Sequence, residues 1–203
     1  MNQTEHSPFQ LSIDRLRSLC DVVMGAVLVV LVLNIDIPSL SQIKVSHDVT
    51  QVFVVSFPAF FAFLTCFLVV AKCWELHNLL FHHVKQVDKR ILWLTIFYLL
   101  SVAFLVSTAG IHMQPHDQIS VIAFSTTLMM PALLLSAMCV RVVYAWRLDE
   151  SIYLSEGRKR AAVILLLKTF LIPLVGIVSI ILSYVNAIYA YYLWTAILLI
   201  IFI

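Results

Sequence analysis

Long apolar runs separated by short polar segments make up this chain. The first run covers Leu19 to about Ile37, after a polar stretch at 1–13. The second, from Val52 into residue 73, holds Pro58 and stays uncharged until Lys72. A third covers Ile91–Ile111. A fourth starts at Ile119, holds Pro131, and keeps its apolar pattern through Val142, Val143, Tyr144 and Trp146. The last stretch, Ala161 to Ile203, carries one charge, Lys168. It is too long for a single crossing at ~1.5 Å rise per residue in a hydrocarbon core of ~30 Å. It must fold back, and Ser183-Tyr184-Val185-Asn186 is the turn candidate. The pattern predicts an all-α integral membrane protein, one six-helix unit over residues 1–203. Its spans are expected at about 19–37, 52–73, 91–111, 119–146, 161–183 and 187–203, with 1–13 as a tail. Pro173 is expected to kink the fifth span.

Composition agrees with the pattern. The chain is 62% hydrophobic and 12% charged, against about a quarter charged in soluble domains. There is too little polar sequence to cover a water-soluble globule. The small net charge gives no reason to expect nucleic acid as a partner. Arg15 and Arg17 precede the first span. Lys72, Lys85, Lys89 and Arg90 follow the second, and Arg141, Arg147, Arg158, Lys159 and Arg160 lie around the loop after the fourth. Only Lys44 falls in a loop on the other side. The positive-inside rule therefore puts both termini in the cytoplasm. That leaves the Asn2-Gln3-Thr4 sequon on the wrong side for glycosylation. The N-terminus has no apolar core of a signal peptide. Cys20, Cys66, Cys73 and Cys139 form no CxxC pair and are expected as reduced buried thiols.

On a helix of 100° per residue, Val23, Ala26, Val30, Leu33 and Ile37 share one stripe of the first span. Such a stripe is a lipid-facing or packing surface, or else a hydrophobic constriction that selects by dehydration. Asp21 lies on roughly the opposite side. A carboxylate in lipid needs a partner or a wet cavity. Arg15 and Arg17 are close enough in sequence to pair with it, which favours a structural role over an ion site. His77 belongs to a cluster with Trp74, His82 and His83. One such cluster is too few for a di-iron histidine-box enzyme, so no metal site is expected. His77 is instead expected in a hydrogen-bonding network at the end of the second span. Lys168 is expected to snorkel to the interface. The aromatics of IYAYYLW, 188–194, suggest a belt at the opposite interface. No phosphate loop, catalytic triad or TVGYG filter occurs.

These residues carry a family resemblance. The hallmark of the transmembrane protein 175 family of potassium channels is R-x-x-x-F-S-D, then an apolar run such as GVFAIAITLLVLDI and a nearby proline. Without gaps, Arg15 falls on its arginine, Leu19 on its Phe, Cys20 on its Ser and Asp21 on its Asp. LVLNI (31–35) falls on LVLDI, and Pro38 follows. Trp74 and His77 fit its W-x-x-H, and VDKRILWL (87–94) is similar to VDRRLLWLN, with Thr95 at the Asn. The family's constriction isoleucine falls on Ala26, and its next two layers fall on Val30 and Leu33. Ala26 is smaller than Ile, which moves the expected narrowest layer to Val30 or Leu33.

The resemblance implies a cation channel without a re-entrant filter. In it four first helices surround a shared axis, with Val23, Ala26, Val30 and Leu33 lining the pore. Arg15, Leu19, Cys20, Asp21, Trp74 and His77 would form the supporting network. A single six-span unit is similar to the prokaryotic members, which implies a homotetramer in a prokaryotic plasma membrane. Potassium, other monovalent cations or protons would permeate, in contact with membrane lipid, with no cofactor and no enzymatic activity. Two other readings stay open: a small secondary or proton-coupled transporter using Asp21 and Lys168, and a non-conducting structural homologue.

Overall fold

A computed structural model of the chain describes residues 13–34, 49–82, 84, 88–109, 117–148 and 156–201. Those residues form six α-helices: α1 (Ile13–Leu33), α2 (Val49–His82), α3 (Lys89–Ala109), α4 (Gln118–Leu148), α5 (Glu156–Ser183) and α6 (Ala187–Ile201). Five of them are long and apolar enough to cross a membrane. The sixth, α6, is described over 15 residues. The chain is thus an all-α, multi-pass membrane protein. Asn2, His6, Ile37, Pro38, Lys44, His47, His83, Lys85, His112 and His116 lie outside the described residues.

Several helices run past the apolar segments that seed them. α1 begins at Ile13 rather than Leu19, so the first helix carries Arg15 and Arg17 and shortens the expected tail by one residue. α2 continues to His82, and Lys72 and Glu75 pair at 2.8 Å one turn apart on that extension. α5 starts at Glu156, within the expected basic loop. Helix starts are set by short acceptors. Asp88 Oδ1 takes the Ile91 N–H at 2.7 Å, Asp117 Oδ2 takes the Ser120 N–H at 3.0 Å, and Asn186 Oδ1 takes the Ile188 N–H at 2.9 Å. Each satisfies an amide that the helix itself leaves without an acceptor.

Among the described residues α2 touches all five other helices, whereas α1 touches only α2 and α3. The longest seam joins α4 to α5. Gly176 makes that seam close, because a Cβ there would sit 3.0 Å from Met129 Cβ. Pro173 lacks an N–H, which deprives the Thr169 carbonyl of its helical donor. The Ser136 hydroxyl of α4 supplies one at 2.9 Å, shared with its own Ala132 carbonyl at 2.8 Å. Lipid offers no water for an orphaned carbonyl, so a neighbouring helix must provide the donor.

A second polar chain closes α4, α5 and α6 together. Trp194 Nε1–H donates to Ser125 Oγ at 3.1 Å, Ser125 to Ser179 Oγ at 2.9 Å, and Ser179 to the Ala190 carbonyl at 2.8 Å. Tyr191 donates to the Pro58 carbonyl at 2.7 Å and packs on Phe61 and Phe124. Trp194 and Tyr191 are both fully buried. The expected interfacial belt is therefore not what these two rings form. They are core aromatics, since each polar tip finds an acceptor inside the bundle. Of that run, Tyr189 is the tyrosine left exposed.

Asp88 also binds Arg141 Nη2 at 2.9 Å, tying the start of α3 to α4. Burial pulls its carboxyl pKa up. The Ile91 N–H, the Arg141 hydrogen bond and the charges of Arg141 and Arg90 outweigh this and hold it below the ordinary value.

Two outcomes follow from this packing. Ser136→Ala should cost about 0.6–1.7 kcal/mol of stability, read as a lower melting temperature in detergent, whereas Thr126→Ala on an exposed face should be neutral. A carboxyl held low in the folded state adds stability above its unfolded pKa of about 3.9 and loses it as pH falls through the depressed value. Wild type should therefore melt above Asp88→Asn near neutral pH, and the gap should close as pH drops below about 4. A gap constant down that range would count against the pairing.

Candidate functional site

α1 is the least buried of the five candidate spans. Leu16, Cys20, Met24, Val27 and Leu31 are buried, a stripe at the spacing that one helix face presents to its neighbours. That stripe fits against α2 and α3. The predicted pore stripe lies to one side of it. Ala26, Val30 and Leu33 are exposed, and Val23 is half-buried at the edge. Leu33 is 76% exposed and Val30 43%. The bare surface is wider than the predicted stripe, for Leu19, Val22, Val29 and Val32 are exposed as well. A Cβ on Gly25 would meet nothing within 4 Å. Within one protomer, then, α1 presents an uncharged apolar face beyond Asp21 that nothing among the described residues covers.

Two pairs of side chains fix the other side of the helix. Trp74 Nε1–H donates to Asp21 Oδ1 at 2.8 Å. Cys20 Sγ lies 3.6 Å from His77 Nε2. Both pairs join α1 to α2 in the same antiparallel register. His77 is fully buried, with its ring stacked on Phe81 at 4.3 Å and on Tyr98 of α3 at 5.3 Å. Arg17 and Asp21 are charged groups close enough to act electrostatically on His77. The structure therefore brings Cys20, Asp21, Trp74 and His77 together at one end of the α1–α2 seam. Arg15 and Leu19 sit on the exposed side of α1. The indole at Asp21 is a partner that the sequence reading, which looked to arginine, did not assign.

The sequence reading also missed Phe81 and Tyr98. Phe81 follows His77 by four residues, so its contact was visible in the helical spacing. Tyr98 comes from another helix, and no local pattern marks it. Thr95, at the family's Asn position, is buried and donates to the Ile91 carbonyl at 2.8 Å and to Met138 Sδ at 3.4 Å. Asp21 and Lys168 are not brought together, because α1 and α5 do not touch among the described residues.

Chemically the cluster is a fastening rather than a reaction centre. A thiol beside an imidazole is a nucleophile–base pair in some hydrolases. Here both groups are fully buried between α1 and its neighbours. Among the described residues no group of three His, Cys, Asp or Glu side chains is placed to hold a metal ion. All four cysteines are free and buried.

Residues 15–105 match the family described as endosomal/lysosomal potassium channel TMEM175. No curated protein sequence matches the chain. Among solved structures, the crystal structure of a lysosomal potassium-selective channel TMEM175 homolog from Chamaesiphon minutus superposes with a TM-score of 0.76. The match covers 93% of this chain and 95% of that one, at 15% sequence identity. At such identity the likeness establishes the fold. The matched segment contains α1 from Arg15 onward and both of its fastenings to α2.

The two fastenings should differ in weight. His77→Ala removes a buried ring stacked on two aromatic neighbours and should cost about 2–4 kcal/mol. Trp74→Phe removes one partly exposed donor and should cost about 1 kcal/mol. Melting temperatures of the purified variants test this order, and an equal or reversed order would mean that the buried imidazole does not hold the seam.

Proposed function

We propose that the chain is a member of the TMEM175 family, a potassium-permeable cation channel whose conduction path is built from α1 of several copies. The observation that carries this is the uncovered apolar face of α1, with Ala26, Val30 and Leu33 exposed in the protomer, on a helix inside the family-matched segment. One protomer of six helices leaves little room for an internal channel. A path on a symmetry axis shared by identical copies needs no further chain. Four copies are proposed, as a homotetramer.

Without a filter loop, discrimination has to come from the width and apolarity of the constriction. An ion crossing it must shed or squeeze its hydration shell, and the ring of side chains sets that penalty. Val30 and Leu33 are larger than Ala26, so the narrowest layer is placed at one of them. Cys20, Asp21, Trp74 and His77 act from behind by holding the rotation of α1, with Arg15 and Leu19 at the same end of the helix. Lysines and arginines concentrate at the helix ends that flank the α2–α3 and α4–α5 connections, which supports cytoplasmic termini in a plasma membrane. Permeant ions are potassium and, to a degree set by the constriction, other monovalent cations or protons.

Replacing Leu33 or Val30 with Asn puts a polar group in the dehydrating layer. Single-channel recordings in planar bilayers should then show a conductance or potassium-to-sodium ratio changed several-fold in at least one variant. Currents identical to wild type in both would remove the pore from this face. Currents that saturate and require a co-substrate would indicate a carrier instead.

A further inference from the structure

Lys168 is exposed on α5, in the most apolar of the five candidate spans. Eight residues, about 12 Å along the axis, separate it from Arg160, where that candidate span begins. Among the described residues its amine has no hydrogen-bond or ion-pair partner. No acidic residue follows Glu156 in α5. An ammonium at that depth in lipid needs an anion or water.

The surroundings say which. A helical side chain tilts toward the helix N-terminus, so the amine of Lys168 is directed toward the Arg160 end. Ile164 and Ala161, one and two turns nearer that end, lie on the same side of the helix, and both are exposed. Ala161 is small and leaves space above the lysine. Arg160 is exposed at the end of this track. Within α5, Arg158, Lys159 and Arg160 stand against the single carboxylate of Glu156. Below the lysine the same side continues with Leu171, Val175 and Val178, all apolar and at least partly exposed. An anionic group held between two cations, with an apolar strip directly beneath, matches one kind of molecule in a bilayer.

We propose that α5 binds an anionic glycerophospholipid, with its phosphate between Lys168 and Arg160 and an acyl chain along Leu171, Val175 and Val178. Charge complementarity favours the lipid over a second copy of the chain, because the occupant must offer an anion and a long apolar tail on one molecule. The site is on a different helix from the proposed conduction path, and its occupancy does not depend on ion flow.

Native mass spectrometry of the purified full chain, titrated with phosphatidylglycerol and phosphatidylcholine, tests this. Wild type should retain phosphatidylglycerol preferentially. Lys168→Gln and Arg160→Gln should each cut that preference by about fivefold, the worth of one cation at an anionic lipid surface. Lys168→Arg should keep it. Lys72→Gln, which removes an amine already paired with Glu75, should also keep it. An unchanged preference in both Gln variants would overturn the proposal, as would its loss in Lys168→Arg. Displacement of the lipid by inorganic phosphate would overturn it in favour of a free-anion site. Dissociation of the oligomer in Lys168→Gln with lipid preference intact would assign the lysine to a carboxylate on another copy. If Lys168→Gln fails to fold, Arg160→Gln alone decides.

Discussion

A single buried stripe on α1 is the constraint from which the rest follows. Leu16, Cys20, Met24, Val27 and Leu31 are the residues that this helix gives to its own chain. In a soluble protein the remaining apolar surface would drive collapse or association. In a membrane it is at no disadvantage against lipid, so the protomer can leave it bare. What decides the orientation of that surface is then geometry rather than hydrophobicity. The Cys20–His77 and Asp21–Trp74 contacts supply it. They lie on the side away from the predicted pore stripe, at one end of the helix, where a small rotation would swing Val30 and Leu33 through a wide arc.

The rest of the bundle works as a rigid backing for that seam. α2 reaches every other helix, Tyr191 of α6 bonds its Pro58 carbonyl, and the contacts among α4, α5 and α6 are closed by satisfied polar chains rather than by apolar packing alone. Ser136 answers the carbonyl that Pro173 releases. Trp194, Ser125 and Ser179 pass one hydrogen bond after another to the Ala190 carbonyl. Hydrogen bonds between membrane helices are individually modest, near 0.6 kcal/mol on average. Their directionality specifies one packing among many that lipid would tolerate. A helix fixed on one face by such a backing and bare on the other can form a symmetric opening without distorting the protomer.

Much of this architecture was legible in the residues because lipid makes the rules strict. Charge-free runs had to be helices, and the 161–203 stretch had to fold back. The turn falls at Ser183–Asn186 because Asn186 caps the next helix. Asp88 and Asp117 cap in the same way. What stayed hidden was which partner a side chain meets across the bundle. Tyr191 and Trp194 carry the composition of an interfacial belt, and only the positions of Pro58 and Ser125 on other helices turn them into core residues. Asp21 looked to the nearest arginines in sequence, whereas Trp74, 53 positions away, lies against it. The stripe of Ala26, Val30 and Leu33 was readable as apolar and one-sided. That it lies uncovered needed the neighbours of α1, since a helical wheel looks the same for a face against lipid, a face against protein and a face on an axis.

The most direct measurement is the symmetry of the purified assembly by electron cryo-microscopy in a lipid nanodisc, together with the identity of the helix nearest the axis. The account predicts four copies with α1 innermost and the side chains of Val30 and Leu33 directed at the axis. A monomer, or an oligomer in which another helix lies nearest the axis and α1 faces lipid, would contradict it.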